Sequence, residues 1–194
     1  MFDGLWPGFD HEEVPIGSIT NGVHAPTWVD RRMLEFAEAH LGEGGLDRDG
    51  GWEQIRTINW DQMWAIKREL RQQLVADARR RVRASWVERG ASAAELKWTD
   101  EILDPDVLTI GFARRVPTYK RLTLMLRDPE RLRALLLDES KPLQLIVAGK
   151  SYPADDAGKA LIQQVVRFAD SPDVRHRIAF LPDYDMSMAR LLYW

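Results

Sequence analysis

The chain has 194 residues, of which 45% are hydrophobic and 29% charged, and its formal net charge at pH 7 is -3. These proportions are typical of a globular protein, and the near-neutral balance argues against a surface built as a whole for nucleic acid. The lack of cysteine excludes disulfides and thiolate metal sites. No apolar run reaches the roughly 20 residues of a membrane span and no secretory signal pattern is seen, so we expect a cytoplasmic protein without membrane or nucleic-acid partners.

Two glycine-rich stretches predict irregular structure in the first quarter of the chain. Residues 1–30 are rich in Gly, Pro and Asn, and SITNGVHAPTW at 18–28 contains the turn signal Asn21-Gly22. The segment LGEGGLDRDGG at 41–51 has no apolar periodicity and predicts an exposed loop.

A long helix is predicted from about Asp61 to Arg89, with Asp61 as its N-cap and Gly90 as its stop. Apolar residues recur at every fourth position and form one stripe, which consists of Ile66, Leu70, Leu74, Ala78, Val82 and Trp86. The arginine-rich run at 79–83 fans around this helix instead of converging, so it predicts a solvated outer face.

From Asp104 onward short apolar runs alternate with amphipathic stretches, which predicts an α/β fold with a parallel sheet. The predicted strands are 107–112, 143–148 and 177–181. The predicted helices are about 119–137, about 154–169, and one that begins near Met186. Pro129 lies inside the first of these helices and is expected to kink or split it.

The stretch GFARRVPTYKR at 111–121 places four cations, Arg114, Arg115, Lys120 and Arg121, where the first strand gives way to its helix. Ligands of parallel α/β sheets bind at such junctions. Cations in the first turn of a helix are unfavourable by about 0.3–1 kcal/mol each, so their position indicates a compensating anion, phosphate above all. Salt bridges to the chain's 30 carboxylates are the alternative. The glycine-rich loops of dinucleotide and P-loop sites are absent.

Four blocks of the sequence resemble the α-glucan (glycogen, starch, maltodextrin) phosphorylase family, particularly its bacterial short form. These blocks are Ser18–Trp28, Gly111–Leu124, Leu143–Gln163 and Ala179–Arg190. The resemblance implies a two-domain GT-B fold of which this chain is an internal fragment. Residues 1–28 would form an interdomain, active-site loop segment and 29–104 a mainly helical segment. Residues 105–194 would form the first βαβαβ portion of the Rossmann-like C-terminal domain, truncated.

The resemblance also implies an activity. Such enzymes cleave the terminal α-1,4 bond of a glucan with inorganic phosphate and release glucose 1-phosphate with retained configuration. They require pyridoxal 5′-phosphate, whose 5′-phosphate donates and accepts a proton, and the full-length family members imply a homodimer. The cofactor's Schiff-base lysine and the large N-terminal domain are not in this chain, so we expect the fragment alone to be inactive.

The match to the family's sequence blocks implies which residues bind the substrate phosphate. Arg115 and Lys120 correspond to the catalytic ligands of the substrate phosphate, and Arg114 is expected nearby in the same anion pocket. Fixed cations suit this chemistry because they position a phosphate dianion and stabilise developing charge in a water-poor cleft. No metal is expected.

The remaining assignments concern the sugar and the cofactor. Asn21 corresponds to a residue that hydrogen-bonds a glucose hydroxyl, and His24 is a second candidate substrate-binding residue. Trp28 and Tyr184 match positions that pack around the cofactor. Animal-type members carry arginine where this chain has Asp185, so the resemblance predicts one cofactor-phosphate contact to be lost or supplied elsewhere.

Two other functions remain open from the sequence. A sugar-nucleotide GT-B glycosyltransferase, similar to glycogen or starch synthase, would share the fold and the basic loop after the first strand. A non-catalytic carbohydrate-binding or regulatory domain, made as a stand-alone chain, is the second alternative. Competition between nucleotide and phosphate distinguishes the synthase from the phosphorylase.

Overall fold

The computed structural model describes residues 3–10, 12–42, 52–116 and 121–194, and a parallel three-stranded sheet lies at its centre. The strands follow the order β1-β2-β3 and are β1 (Leu108–Arg115), β2 (Leu143–Lys150) and β3 (Ile178–Leu181). The interior of β2 is buried from Gln144 to Gly149, because helices cover both faces of this central strand. The predicted α/β class with a parallel sheet is confirmed.

The α-helices of the described residues are α1 (Ala25–Trp28), α2 (Arg31–Leu41), α3 (Trp60–Glu88), α4 (Pro129–Leu137), α5 (Asp156–Ala169) and α6 (Met186–Tyr193). Short 3-10 turns occur at Asp3–Leu5, Trp52–Thr57, Lys97–Asp100 and Leu122–Leu126. None of these helices is long and apolar enough to cross a membrane.

The irregular N-terminal region is largely as predicted, with one exception. Residues 17–24 form neither helix nor strand, but α1 follows at once with Pro26 in its first turn. Proline fixes the backbone angle that a first helical turn needs, and this favours a short helix in an otherwise irregular segment. Most of the predicted glycine-rich loop, 43–51, lies outside the described residues.

The long helix α3 is confirmed, as is its stop at Gly90, but its N-cap is not the predicted residue. Asn59 is the N-cap, accepting a hydrogen bond from the Gln62 amide at 3.2 Å, so the assignment of this role to Asp61 is wrong. Asp61 lies one position inside the helix, where its charge complements the dipole. Gly90 ends the helix in the left-handed region, at φ +86°.

Two strands of the sheet extend beyond the apolar runs from which they were predicted. β1 continues from the predicted end at Phe112 to Arg115, and β2 continues to Lys150. Arg114 pairs with Gly149 and Arg115 with Lys150 in the ladder. Backbone pairing does not require apolar side chains, so the two arginines are the last residues of β1 instead of loop residues beyond it.

The connection from β1 to β2 differs from the single helix predicted at 119–137. A 3-10 turn is followed by α4, which begins at Pro129, with Asp128 as its N-cap. The proline thus splits the segment, as expected. Arg121 has left-handed backbone angles (φ 52°, ψ 38°) and precedes the 3-10 turn, so its predicted place in the first turn of a helix is wrong. Residues 117–120, with Lys120 and the predicted helix start, lie outside the described residues.

Two apolar layers enclose the sheet. On one face α3 and α6 pack against β2 and β3, with Ala78 and Val82 of α3 buried against Ile146 and Ala179. On the other face α4 and α5 cover the sheet, and Leu136 and Val165 are their most buried side chains. Helices on both faces of a parallel sheet leave its carboxyl edge open for a site.

The arginine-rich run of α3 binds backbone groups, so the prediction of a solvated outer face is wrong for part of it. The Arg79 guanidinium donates to the carbonyl oxygens of Ile102 at 2.8 Å and Leu103 at 2.9 Å. Leu103 has a left-handed φ of 60°, and this turn presents both carbonyls to the helix. Arg81 donates to the buried Asp77 at 2.6 Å.

Replacing Arg79 with alanine is expected to lower the free energy of unfolding by about 1.5–3 kcal/mol, because two carbonyls lose a charged donor. Arg80→Ala is the matched control. Arg80 pairs with the same Asp77 but is 71% exposed, and Asp77 keeps its bond from Arg81 when Arg80 is removed, so a loss of only about 0–1 kcal/mol is expected. Urea unfolding followed by tryptophan fluorescence measures both, and equal effects would contradict the bridging role of Arg79.

Candidate functional site

An open cleft of about 880 Å³ lies at the carboxyl ends of β1 and β2. One wall is formed by the strand ends, the other by the loop before α6 and by α6 itself. The polar and aromatic residues that line it include Arg114, Arg115, Lys150, Asp155, Tyr184 and Tyr193. The cleft therefore occupies the position at which the sequence predicted an anion site.

Cations without carboxylate partners line the strand side of the cleft. Arg115 and Lys150 are neighbours in the ladder, so their side chains leave the same face of the sheet from strands about 4.8 Å apart. Both residues, like Arg114, are exposed. None of the ion pairs formed within the described ranges involves any of the three. Over these ranges, the alternative of salt bridges to carboxylates does not hold for Arg114 and Arg115.

The carboxylate that lines the cleft is engaged elsewhere. Asp155 is the N-cap of α5 and accepts a hydrogen bond from the Gly158 amide at 2.8 Å. Its charge is directed to the helix amides and complements the helix dipole. The cleft thus keeps its positive character although an aspartate is present.

Two tyrosines form the opposite wall. Burial raises the pKa of the Tyr184 hydroxyl, the nearby Tyr193 hydroxyl raises it further, and the positive charge of Arg114 acts in the opposite direction. A hydroxyl with a raised pKa stays protonated at neutral pH and can donate a hydrogen bond to an anion. Arg114, Arg115 and Tyr184, three of the residues singled out from the sequence, are therefore brought together.

Trp28 adjoins the cleft through Tyr193. The two rings meet edge to face, with centroids 5.5 Å apart and planes at 78°. Asn21 and His24 are exposed and, in the described part of the chain, are not among the residues lining the cleft. The His24 ring nitrogen Nδ1 lies 2.8 Å from Thr27 Oγ1, at the start of α1. Lys120 lies outside the described residues.

No protein-family model matches the chain, but curated proteins are similar to it over almost its whole length. Glycogen phosphorylase of Mycobacterium tuberculosis is 64% identical over 194 residues, which is 100% of this chain and 22% of that protein. The chain thus corresponds to an internal segment of this glycogen phosphorylase. Glycogen phosphorylase of Aquifex aeolicus is 40% identical over 187 residues, 95% of this chain and 27% of that protein.

A third relative is named for a different substrate. Maltodextrin phosphorylase of Thermococcus litoralis is 31% identical over 195 residues, 99% of this chain and 23% of that protein. The chain thus spans about a quarter of the length of the phosphorylases that it matches. The resemblance inferred from the four sequence blocks is confirmed.

Asp185 has a structural role in this phosphorylase segment. It is the N-cap of α6 and accepts a hydrogen bond from the Met188 amide at 2.8 Å. An arginine cannot accept this bond, since a guanidinium has no acceptor. The aspartate therefore fixes the start of the helix that carries Tyr193, directly after Tyr184.

Asp185→Ala is expected to lower the free energy of unfolding by about 1 kcal/mol, because one amide of α6 loses its acceptor. Asp185→Asn keeps a side-chain acceptor and is expected to retain most of the stability. The measurement is urea unfolding of both variants beside the unchanged protein. A loss for the asparagine variant as large as that for alanine would show that charge, not capping, is the contribution.

Sequence reasoning missed Lys150 and Tyr193 as cleft residues of the phosphorylase segment. Lys150 is the last residue of β2, beyond the predicted end of this strand at Ala148. The rule that strand ends line the site would have found it, because it follows the second strand directly. Tyr193 carries no such signal, since it enters the cleft only through the packing of α6 beside β1.

Proposed function

We propose that this chain is the part of an α-glucan phosphorylase that holds the substrate phosphate, within the first portion of the C-terminal domain of a GT-B fold. The observation that carries the proposal is the pair Arg114 and Arg115 at the cleft, neither of them in an ion pair among the described residues. The similarity to phosphorylases over almost the whole chain supports the same reaction. The full-length protein is proposed to cleave terminal α-1,4 bonds and release glucose 1-phosphate.

The proposed reaction assigns a task to each cation. Phosphorolysis needs a phosphate dianion held against the anomeric carbon while positive charge develops on the sugar. Arg115 binds two phosphate oxygens with its planar fork and fixes their direction, and Arg114 adds positive charge at the same edge. Lys120, proposed from its place in the sequence block, supplies a further point charge. Fixed charges accelerate the reaction because they need no rearrangement as the transition state forms.

The sugar side is proposed to involve the N-terminal segment. Asn21 can both donate to and accept from a glucose hydroxyl through its amide, and His24 lies three residues further on the same exposed segment. We propose residues 1–28 as an active-site segment between domains, 29–104 as a helical connection, and 105–194 as the start of the C-terminal domain. A glucan would then lie between this segment and the cleft.

The cleft fits the phosphate end of pyridoxal 5′-phosphate, the cofactor that the family implies. Arg114 and the Tyr184 hydroxyl are donors on its two walls, and its volume of about 880 Å³ can take more than one phosphate group. Trp28 would pack around the cofactor through its contact with Tyr193. When bound, the cofactor's phosphate would donate and accept a proton at the substrate phosphate. A full-length homodimer is proposed on the same family basis.

The test is an assay of the intact protein that contains this segment. With inorganic phosphate and a linear α-1,4-glucan it is expected to release glucose 1-phosphate, at a rate that saturates with phosphate. Glucan extension from a sugar nucleotide, with no phosphate-dependent cleavage, would overturn the proposal in favour of a synthase. The named relatives give that alternative no support.

A further inference from the structure

We propose that Lys150 is a further binding residue for the substrate phosphate and that it forms a single phosphate-binding site with Arg115. The inference rests on the proposed function and adds a residue to that site. Lys150 ends β2 directly beside Arg115 at the end of β1, and both side chains line the cleft.

Arg115 and Lys150 carry like charges at paired positions of the ladder. Like charges on adjacent strands repel when they lie directly opposite each other. Nearby carboxylates would normally compensate, but within the described ranges neither residue takes part in an ion pair. The Asp155 carboxylate accepts a hydrogen bond from the Gly158 amide of α5. A phosphate between the two cations would remove this repulsion.

The backbone of Lys150 is held against the end of β1. The Lys150 carbonyl accepts a hydrogen bond from the Val116 amide at 2.9 Å, which ties the end of β2 to the residue after β1. The preceding Gly149 is also closely packed, since a Cβ there would lie 3.0 Å from Val116 Cγ2. The backbone from which the lysine extends is therefore fixed. By contrast, Lys159 of α5 pairs with Asp156 at 3.0 Å.

The two cations would bind different oxygens of the same phosphate. The arginine fork takes two oxygens in one plane, and the lysine ammonium approaches a third oxygen as a point charge. A phosphate dianion offers enough oxygens for both and still faces the tyrosine wall. Lys150 would therefore contribute to affinity for phosphate and not to affinity for the glucan.

The experiment compares Lys150→Met with Lys159→Met in the intact phosphorylase that carries this segment. A charge-assisted hydrogen bond is worth enough to predict a rise of about 10- to 100-fold in KM for phosphate for the first variant. KM for the glucan is expected to stay within about twofold. The control is expected to keep both constants. Lys150→Arg restores a cation and is expected to recover part of the phosphate affinity.

The outcomes separate this proposal from the proposed function. An unchanged KM for phosphate in the methionine variant, with normal turnover, overturns the role of Lys150 and leaves the phosphorylase assignment standing. Equal losses for phosphate and glucan also overturn it. If the methionine variant does not fold, Lys150→Gln keeps a polar side chain without the charge and answers the same question. No phosphorolysis by the unchanged protein overturns both proposals.

Discussion

Replacing Arg115 with alanine in the intact protein that carries this segment is expected, if the proposed phosphorolysis holds, to lower kcat/KM for phosphate by about 10²- to 10³-fold, the range found when one preorganised donor to a transition-state anion is removed. Arg115 is the last residue of β1 and lines the cleft beside Lys150. In the described ranges it takes part in no ion pair, so its removal frees no buried carboxylate. The loss is expected in kcat/KM for phosphate and not in the KM for the glucan.

Two controls sharpen this prediction. Arg115→Lys keeps the charge and loses the fork, and we expect an intermediate loss. Arg31→Ala removes an exposed arginine of α2 that pairs with Glu35, and no change in either substrate constant is expected. Initial rates at varied phosphate and varied glucan give both constants. Losses of equal size for phosphate and glucan would contradict a phosphate role for Arg115.

The second large effect concerns the wall of the cleft. Gly158→Ala is expected to lower the free energy of unfolding by about 1–3 kcal/mol, because the added methyl group has no space. A Cβ at this position would lie 2.5 Å from Asp155 Oδ2 and Ser151 Oγ, and 2.7 Å from the Val116 carbonyl oxygen. The carbonyl belongs to the backbone that follows β1 and cannot rotate away, so α5 must move.

The matched control for this change is Gly111→Ala in β1, where a Cβ would meet nothing within 4 Å. Its effect on stability is expected to be small. Urea unfolding followed by tryptophan fluorescence measures both variants. A Gly158 variant as stable as the Gly111 variant would show that α5 does not approach the end of β1 this closely. Since α5 follows Lys150 and Ser151, the Gly158 change is also expected to weaken phosphate use.

The same contacts show why the sequence predicted some features and not others. The four-residue repeat on α3 identified its buried face, and Leu70, Ala78 and Val82 are buried as expected. The apolar runs located all three strands, because burial on both faces of a parallel sheet demands continuous apolar residues. Pro129 was expected to split its segment, and it does begin α4. These properties are local, so a short window of sequence contains their cause.

By itself the sequence determined the α/β class, the alternation of strands and helices from Asp104 onward, the kinship with phosphorylases, and Arg114, Arg115 and Tyr184 as candidate site residues. Only the tertiary structure decided that Arg79 binds the carbonyls of the 102–103 turn and that Lys150 stands beside Arg115. The reason is physical. Periodicity and turn chemistry act between residues a few positions apart. Tertiary packing brings together residues that are far apart in the chain, such as Arg79 and Ile102 at a separation of 23 positions.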